Sequence, residues 1–155
     1  WILERFVAMM DRKQLVIMGN GRNRMATIYV DDAARAIVLA GLTHASAGKI
    51  YDVASDEPVS QEQFVNAIAA VLGRPPIKWK LPYPIVFAAA ALLEALTNLP
   101  GRHPIHMRCM VDLMAADQVI DASRLRNELD WKPEITFAEG VRRMDQWYKN
   151  YLARK

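Results

Sequence analysis

The chain of 155 residues is 52% hydrophobic and 24% charged, a composition that builds a globular core and excludes a disordered or low-complexity protein. Its 20 lysines and arginines against 17 acids leave a net charge of +3, scattered along the chain, which gives no electrostatic footprint for nucleic acid. Cys109 is the single cysteine, so an internal disulfide is excluded and a reducing, cytoplasmic setting is expected. A first residue of Trp rather than Met reads as a piece of a longer protein, and the opening residues lack the pattern of a secretory signal.

Ile2, Phe6, Val7, Met9 and Met10 predict a short helix with one apolar side. Residues 15–18 are an apolar run that stops at glycine, the pattern of a buried strand, and Gly19-Asn20-Gly21 makes the turn after it. The β-branched and aromatic run 27–30 predicts a second strand. Asp31 and Asp32 then open a helix that runs to about Leu42. Either carboxylate can accept from the unpaired N–H groups of the first turn, and Asp31 stands four residues before Arg35 for a surface pair. Alternation over 49–54 predicts a further strand.

Ser60 and Gln63 fit a capping box for a helix carrying Phe64, Val65, Ile68, Val71 and Leu72, which Gly73, Pro75 and Pro76 end. A short strand over 77–79 and a long apolar helix over 84–96 follow. The pattern then predicts a helix over 105–114, a short strand over 118–120 and a short helix over 122–129. Thr136 and Glu139 repeat the capping-box spacing before a last helix, whose Phe137, Val141, Met144, Tyr148 and Tyr151 share one face.

Several stretches imitate chemistry. Gly19-Asn20-Gly21-Arg22-Asn23-Arg24 approaches the G-x-G-x-x-G dinucleotide fingerprint. Arg24 stands where the third glycine must let helix and strand pack, and a strand rather than a helix follows, so a turn between strands is the better reading. Adjacent Asp31 and Asp32 are better explained as a helix cap than as an acid–base pair. Tyr151 and Lys155 spell Y-x-x-x-K, a spacing that lets an ammonium lower a tyrosine pKa. No serine precedes them at a useful distance, and Tyr151 completes an apolar stripe. His103 and His106 lack the carboxylate or cysteine partners of a metal site, so no metal is expected. The 84–96 run is shorter than the ~20 apolar residues that span a bilayer and carries Glu94. A buried or half-exposed helix is expected there; the alternatives are a membrane-peripheral helix and the wall of an apolar pocket.

The order of these elements resembles the C-terminal half of the extended short-chain dehydrogenase/reductases, the NAD-dependent epimerase/dehydratase superfamily. The likeness rests on Val30-Asp31-Asp32 with its alanine-rich helix, Ala47-Gly48-Lys49-Ile50-Tyr51-Asp52-Val53, and Glu57-Pro58-Val59-Ser60 with its helix to Gly73. It continues with Asp121-Ala122-Ser123-Arg124-Leu125 and Glu128-Leu129-Asp130-Trp131-Lys132-Pro133, where Arg124 and Asp130 stand in place of the Lys and Gly of the late signature. The resemblance implies an α/β fold, mainly helical with a few short strands, forming an incomplete part of an NAD(P)-binding Rossmann-type enzyme. Residues 1–155 would be the C-terminal substrate-binding portion. The N-terminal dinucleotide-binding half, with the glycine fingerprint and the catalytic Ser/Tyr-x-x-x-Lys set, would be absent. NAD or NADP is implied for the full-length parent, an epimerase/dehydratase or oxidoreductase; this chain alone is expected to bind neither and to be inactive.

In nucleotide-sugar members of this family an Arg-Asp pair precedes the strand. Met25 and Ala26 occupy those positions here, and a methionine neutralises no phosphate; Arg24 is one residue early and would face the other side of a strand. The Glu57-Pro58-Val59 turn and the Leu81-Pro82 approach to the apolar helix look more like the 3β-hydroxysteroid dehydrogenase and dihydroflavonol reductase branch. The implied substrate is thus a small apolar or carbonyl compound rather than a nucleotide sugar. Candidate substrate-pocket residues are Met25, from the alignment, Tyr83, at the start of the apolar helix, and Arg108, which opens the helix before the late signature. The competing reading is a stand-alone, non-enzymatic binding or dimerisation module, a homodimer joined through exposed apolar faces.

Overall fold

Among the described residues (9, 10, 12, 15–97 and 106–152 of the computed structural model) helices dominate and the strands are two residues long. The order is β1 (Ile17–Met18), β2 (Arg24–Met25), α1 (Val30–Leu42), a 3-10 turn (His44–Ser46), β3 (Val59–Ser60), α2 (Gln61–Val71), β4 (Lys80–Leu81), α3 (Tyr83–Thr97), α4 (Met107–Ala115), α5 (Ser123–Leu129) and α6 (Phe137–Leu152). The chain falls into two compact units: Trp1–Arg24 with Ser60–Gln118, and Met25–Val59 with Val119–Lys155. Of the helix expected over 2–10, only Met9 and Met10 lie among the described residues, and both are helical.

In the first unit β1 and β4 pair in parallel, with Ile17 opposite Lys80 and Met18 opposite Leu81. Ile17 is fully buried, as are large parts of α2 through Val65, Ile68, Ala69 and Val71. The capping box is present: Ser60 Oγ accepts from Gln63 N at 3.2 Å and Gln63 Oε1 accepts from Ser60 N at 2.8 Å. The buried Gln61 side chain spans two elements, accepting from Met18 N and donating to Met114 O, both at 2.8 Å. Asn23 Nδ2 also donates to Met114 O and to Ala116 O. These amides satisfy carbonyls at the C-terminal end of α4 that the helix itself leaves unpaired. At its other end, Arg108 N donates to Glu94 Oε2 of α3 at 3.2 Å.

The core of the second unit gathers Ala36, Leu125, Leu129 and Trp131, with Ile28, Leu39, Ala40, Tyr51 and Val53 packed on it. Asp32 is completely buried in α1, but it caps nothing in its own helix; Tyr29 is the N-cap and contributes no side-chain bond. Its carboxylate accepts instead from Glu134 N (3.2 Å) and Ile135 N (2.9 Å) and from Arg35 Nη2 (2.8 Å). The cap expected of this aspartate pair is therefore corrected to a tertiary anchor. Asp31 pairs with Arg143 on α6 rather than with Arg35, which bonds Asp32 and Glu134.

Three expected strands are also corrected. Residues 26–29 are extended without a ladder, and Val30 already belongs to α1; the strand is β2, further upstream. Over 49–54 the alternation is real, with Tyr51 and Val53 on the core and Ile50 and Asp52 outward, yet no ladder forms among the described residues. Alternating side chains report an extended backbone, which needs no hydrogen-bonded neighbour. Residues 118–120 form no strand among the described residues; Gln118 N donates to Arg24 O there. The strand expected over 77–79 lies at β4.

Candidate functional site

A cleft of about 510 Å³ opens in the first unit where three elements converge. Met18, Gly19, Asn20 and Asn23 come from β1 and the turn after it, Tyr83 is the first residue of α3, and Asp112, Ala115 and Ala116 come from α4 and its end. Gly19 (φ 62°) and Gly21 (φ 72°) adopt the left-handed conformation that the turn needs. A Cβ at Gly21 would lie 2.5 Å from Ile17 Cγ2, so the glycine is also required by packing. The first strand ends against Gln61, and the amide of Asn23 holds the end of α4, so both walls rest on side chains tied down elsewhere.

Within the cleft the Tyr83 hydroxyl donates to Asp112 Oδ1 at 2.5 Å. That bond, together with desolvation, raises the phenol above its ordinary value, so Tyr83 stays protonated and serves as a fixed polar group rather than as an acid or base near neutrality. Its ring leans on Phe87 at 5.6 Å. The other polar groups in the lining are the amides of Asn20 and Asn23, and among the described residues no lysine, arginine or histidine lines the cleft. Among the described residues these groups are suited to bind and orient, and none of them is a nucleophile paired with a base.

Of the three sequence candidates, Tyr83 lies in this lining. Arg108 stands one turn before Asp112, but its guanidinium is directed at Glu94, with Nε 3.0 Å from Oε2 and Nη2 3.3 Å from Oε1. The pairing raises Arg108 and lowers Glu94 from their ordinary values, chiefly through this side-chain bond. Met25 is the half-buried end of β2 and belongs to the second unit. Neighbouring Arg24 is engaged by Asp117 through backbone N (2.6 Å) and guanidinium (3.8 Å). Sequence reasoning missed Asp112, Asn20 and Asn23. The signal available for Asp112 was a lone acid on a short helix, one turn after Arg108.

A larger groove of about 860 Å³ runs along residues 74–79, past Pro75, Pro76, Ile77 and Trp79. Arg74 and Lys78 are its charged lining residues among otherwise apolar ones, whereas the smaller cleft gathers a hydroxyl, a carboxylate and two amides from three elements, so the smaller cleft is the candidate site. The other imitations of chemistry stay structural. Tyr151 stacks on Trp147 at 5.4 Å, and its partner Lys155 lies outside the described residues, as does His103. No cluster of metal-ligating side chains occurs among the described residues.

The sequence matches the family model described as GDP-mannose 4,6 dehydratase over residues 3–144. It is 30% identical over 138 residues to the 2-alkyl-3-oxoalkanoate reductase of Shewanella oneidensis, a match that covers 84% of this chain and 36% of that protein. The fold is similar to an epimerase of Methanothermobacter thermautotrophicus (TM-score 0.66, 17% identity, 99% of this chain and 38% of that one). It is also similar to the UDP-glucuronic acid 4-epimerase of Bacillus cereus solved in complex with NAD (TM-score 0.58, 18% identity, 96% of this chain and 39% of that one). The chain thus spans little more than a third of the length of these relatives.

Proposed function

The chain belongs to the GDP-mannose 4,6 dehydratase family, within the NAD-dependent epimerase/dehydratase superfamily, and from that premise we propose that it is the substrate-binding portion of an NAD(P)-dependent enzyme acting on a small or apolar carbonyl compound. The observation that carries the substrate class is the cleft itself. Among the described residues its polar lining is Asn20, Asn23, Tyr83 and Asp112, with no cation among them to receive a diphosphate. Met25 and Ala26, in place of the Arg-Asp pair of nucleotide-sugar enzymes, point the same way. The relative named a 2-alkyl-3-oxoalkanoate reductase supports a carbonyl substrate within this family.

Tyr83 orients the substrate in the cleft; Arg108 is held by Glu94 and Met25 belongs to the second unit, so neither is given a role in that cleft. The Gly19-Asn20-Gly21 turn does not fit a dinucleotide: it feeds β2, not a helix N-terminus, and the space above Gly21 is filled by Ile17 and Glu62. NAD or NADP would therefore be held by a dinucleotide-binding half outside these residues. This chain alone would turn nothing over.

The test is steady-state kinetics on the full-length enzyme with NADH and NADPH, comparing 2-alkyl-3-oxo compounds with dTDP-glucose and UDP-glucose. The keto compounds are expected to be reduced and the nucleotide sugars ignored. Y83A is expected to raise KM about tenfold with kcat nearly unchanged, since it removes a binding group and no reacting one. Preferred turnover of a nucleotide sugar would overturn the substrate class, and unchanged KM in Y83A would remove Tyr83 from the site.

A further inference from the structure

The direction of each hydrogen bond in the cleft decides what it can receive. Tyr83 has one hydroxyl proton, and it goes to Asp112 Oδ1 at 2.5 Å. The phenol oxygen therefore turns only lone pairs toward a ligand. Asp112 is an exposed residue of the lining, and its second oxygen, Oδ2, has no hydrogen-bond partner among the described residues. The Asn23 amide gives both its hydrogens to the cleft wall, to Met114 O at 3.0 Å and Ala116 O at 3.2 Å. Asn20 Oδ1 accepts from Arg22 N at 2.8 Å, which leaves Asn20 Nδ2 as the one side-chain donor of the lining among the described residues. Around Tyr83 and Asp112 the cleft thus offers acceptors.

The neighbouring cations do not reverse this. Lys80 Nζ is engaged by Glu62 Oε2 at 2.7 Å and by Asn20 O at 3.2 Å. The Arg108 guanidinium is bonded to Glu94, although its charge still interacts with that of Asp112. A bare carbonyl, a carboxylate or a phosphate would set lone pairs against the lone pairs of Tyr83 and Asp112, and would lose the bonds that water otherwise gives it. A cationic ligand would meet the field of Arg108 beside Asp112. A neutral hydroxyl supplies the proton the pair lacks, and a hydrogen bond to a carboxylate is stronger than one between two neutral groups.

We propose that Asp112, with Tyr83 fixed beside it, selects a substrate that bears a hydroxyl group distinct from its reacting carbonyl. The inference rests on the carbonyl-substrate reading and narrows it: Asp112 holds the hydroxyl as a specificity residue and takes no part in hydride transfer. The test is steady-state kinetics of the full-length enzyme on 2-alkyl-3-oxoalkanoates whose alkyl chain ends in a hydroxyl, methoxy, amino or methyl group, over a series of chain lengths. The best hydroxyl compound is expected to have a KM about thirtyfold below its methyl and methoxy counterparts at similar kcat. Methoxy keeps the oxygen and loses only the proton, so it separates a donor requirement from polarity. D112N, whose amide can turn N–H groups toward the ligand, is expected to bring that ratio below about threefold with kcat nearly unchanged. A merely structural loss would raise KM for all four compounds alike and leave the ratio as it was. If D112N fails to fold by circular dichroism, Y83F replaces it; it removes one acceptor and should lower the ratio about threefold. A ratio near one at every chain length, a ratio unchanged in the folded variant tested, or a lower KM for the amino than for the hydroxyl compound overturns the proposal and leaves the carbonyl reading standing. Turnover of none of the four overturns both.

Discussion

A carboxylate with no exposure to solvent must find its partners inside the protein, and Asp32 finds them in Arg35 and in two backbone N–H groups of residues 134 and 135. The segment 132–135 is thereby fastened to α1, and Lys132 O accepts from Arg35 as well. Removing the carboxylate strands two backbone donors and takes one partner from Arg35, which keeps Glu134 and Lys132 O. Asp32→Ala is expected to cost about 3 kcal/mol in urea unfolding. A loss under about 1 kcal/mol would mean that the segment holds itself. Asp130 poses the opposite case. It follows α5 with φ 50° and ψ 32°, the left-handed conformation, at the position where the family signature has glycine. A side chain pays for that conformation, so Asp130→Gly is expected to raise stability by up to about 1 kcal/mol, read as a higher urea midpoint at unchanged slope. A lower midpoint would show that the aspartate side chain offsets its own backbone strain.

At the scale of elements, the turn after β1 sets the cleft, and Gly21 sets the turn. Its φ of 72° disfavours any side chain, and Ile17 and Glu62 occupy the space a Cβ would need. Gly21→Ala is expected to destabilise the chain by about 2 kcal/mol, and to lower the hydrogen-exchange protection of β1 more than that of α6. The helices were legible in the sequence because their signals are local: the Ser60 and Gln63 box, Gly73 with its prolines, and the apolar spacing of α1 and α2. Of the strands, β1 was legible as the apolar run over 15–18 that stops at Gly19, but its pairing was not, because a two-residue ladder with β4 depends on a partner more than sixty positions away, which no local pattern records. The site divides the same way. Tyr83 could be named because it begins a conspicuous apolar helix. Asp112 could not, because a lone acid on a helix reads as a solvated residue until the fold sets Tyr83 against it. Asp31 and Asp32 misled for the same reason: the spacing fits a cap, and only the distant segment 132–135 shows what Asp32 holds.

Across the whole molecule the ionic ties are unevenly placed, and acid should expose that. In the second unit Glu128 accepts from Lys49, Tyr51 and Arg124 and is lowered from 4.5 to about 2, with the Lys49 bond the largest cause. Glu139, also in this unit, is lowered from 4.5 to about 2 by Arg142 and then Arg143. Asp121 is lowered too, through its bonds to Ser123. Among the described residues of the first unit one such group is found, Glu94 beside Arg108. Each of these carboxyls is more acidic folded than unfolded, so each stabilises the folded state fully above its unfolded value. That contribution is lost as pH falls from about 5 toward about 2. All four are at least partly open to water, so each share is modest and weakens with salt. The expected outcome is a urea midpoint that is flat between about pH 6 and 8 and declines below about 5. By hydrogen exchange, α5 and α6 should lose protection at higher pH than α2. Glu128→Gln removes one of the titrating groups and should flatten the decline while lowering the plateau. If α2 opens first, or the Glu128→Gln profile keeps the original slope, the acid response arises from groups other than these ion pairs.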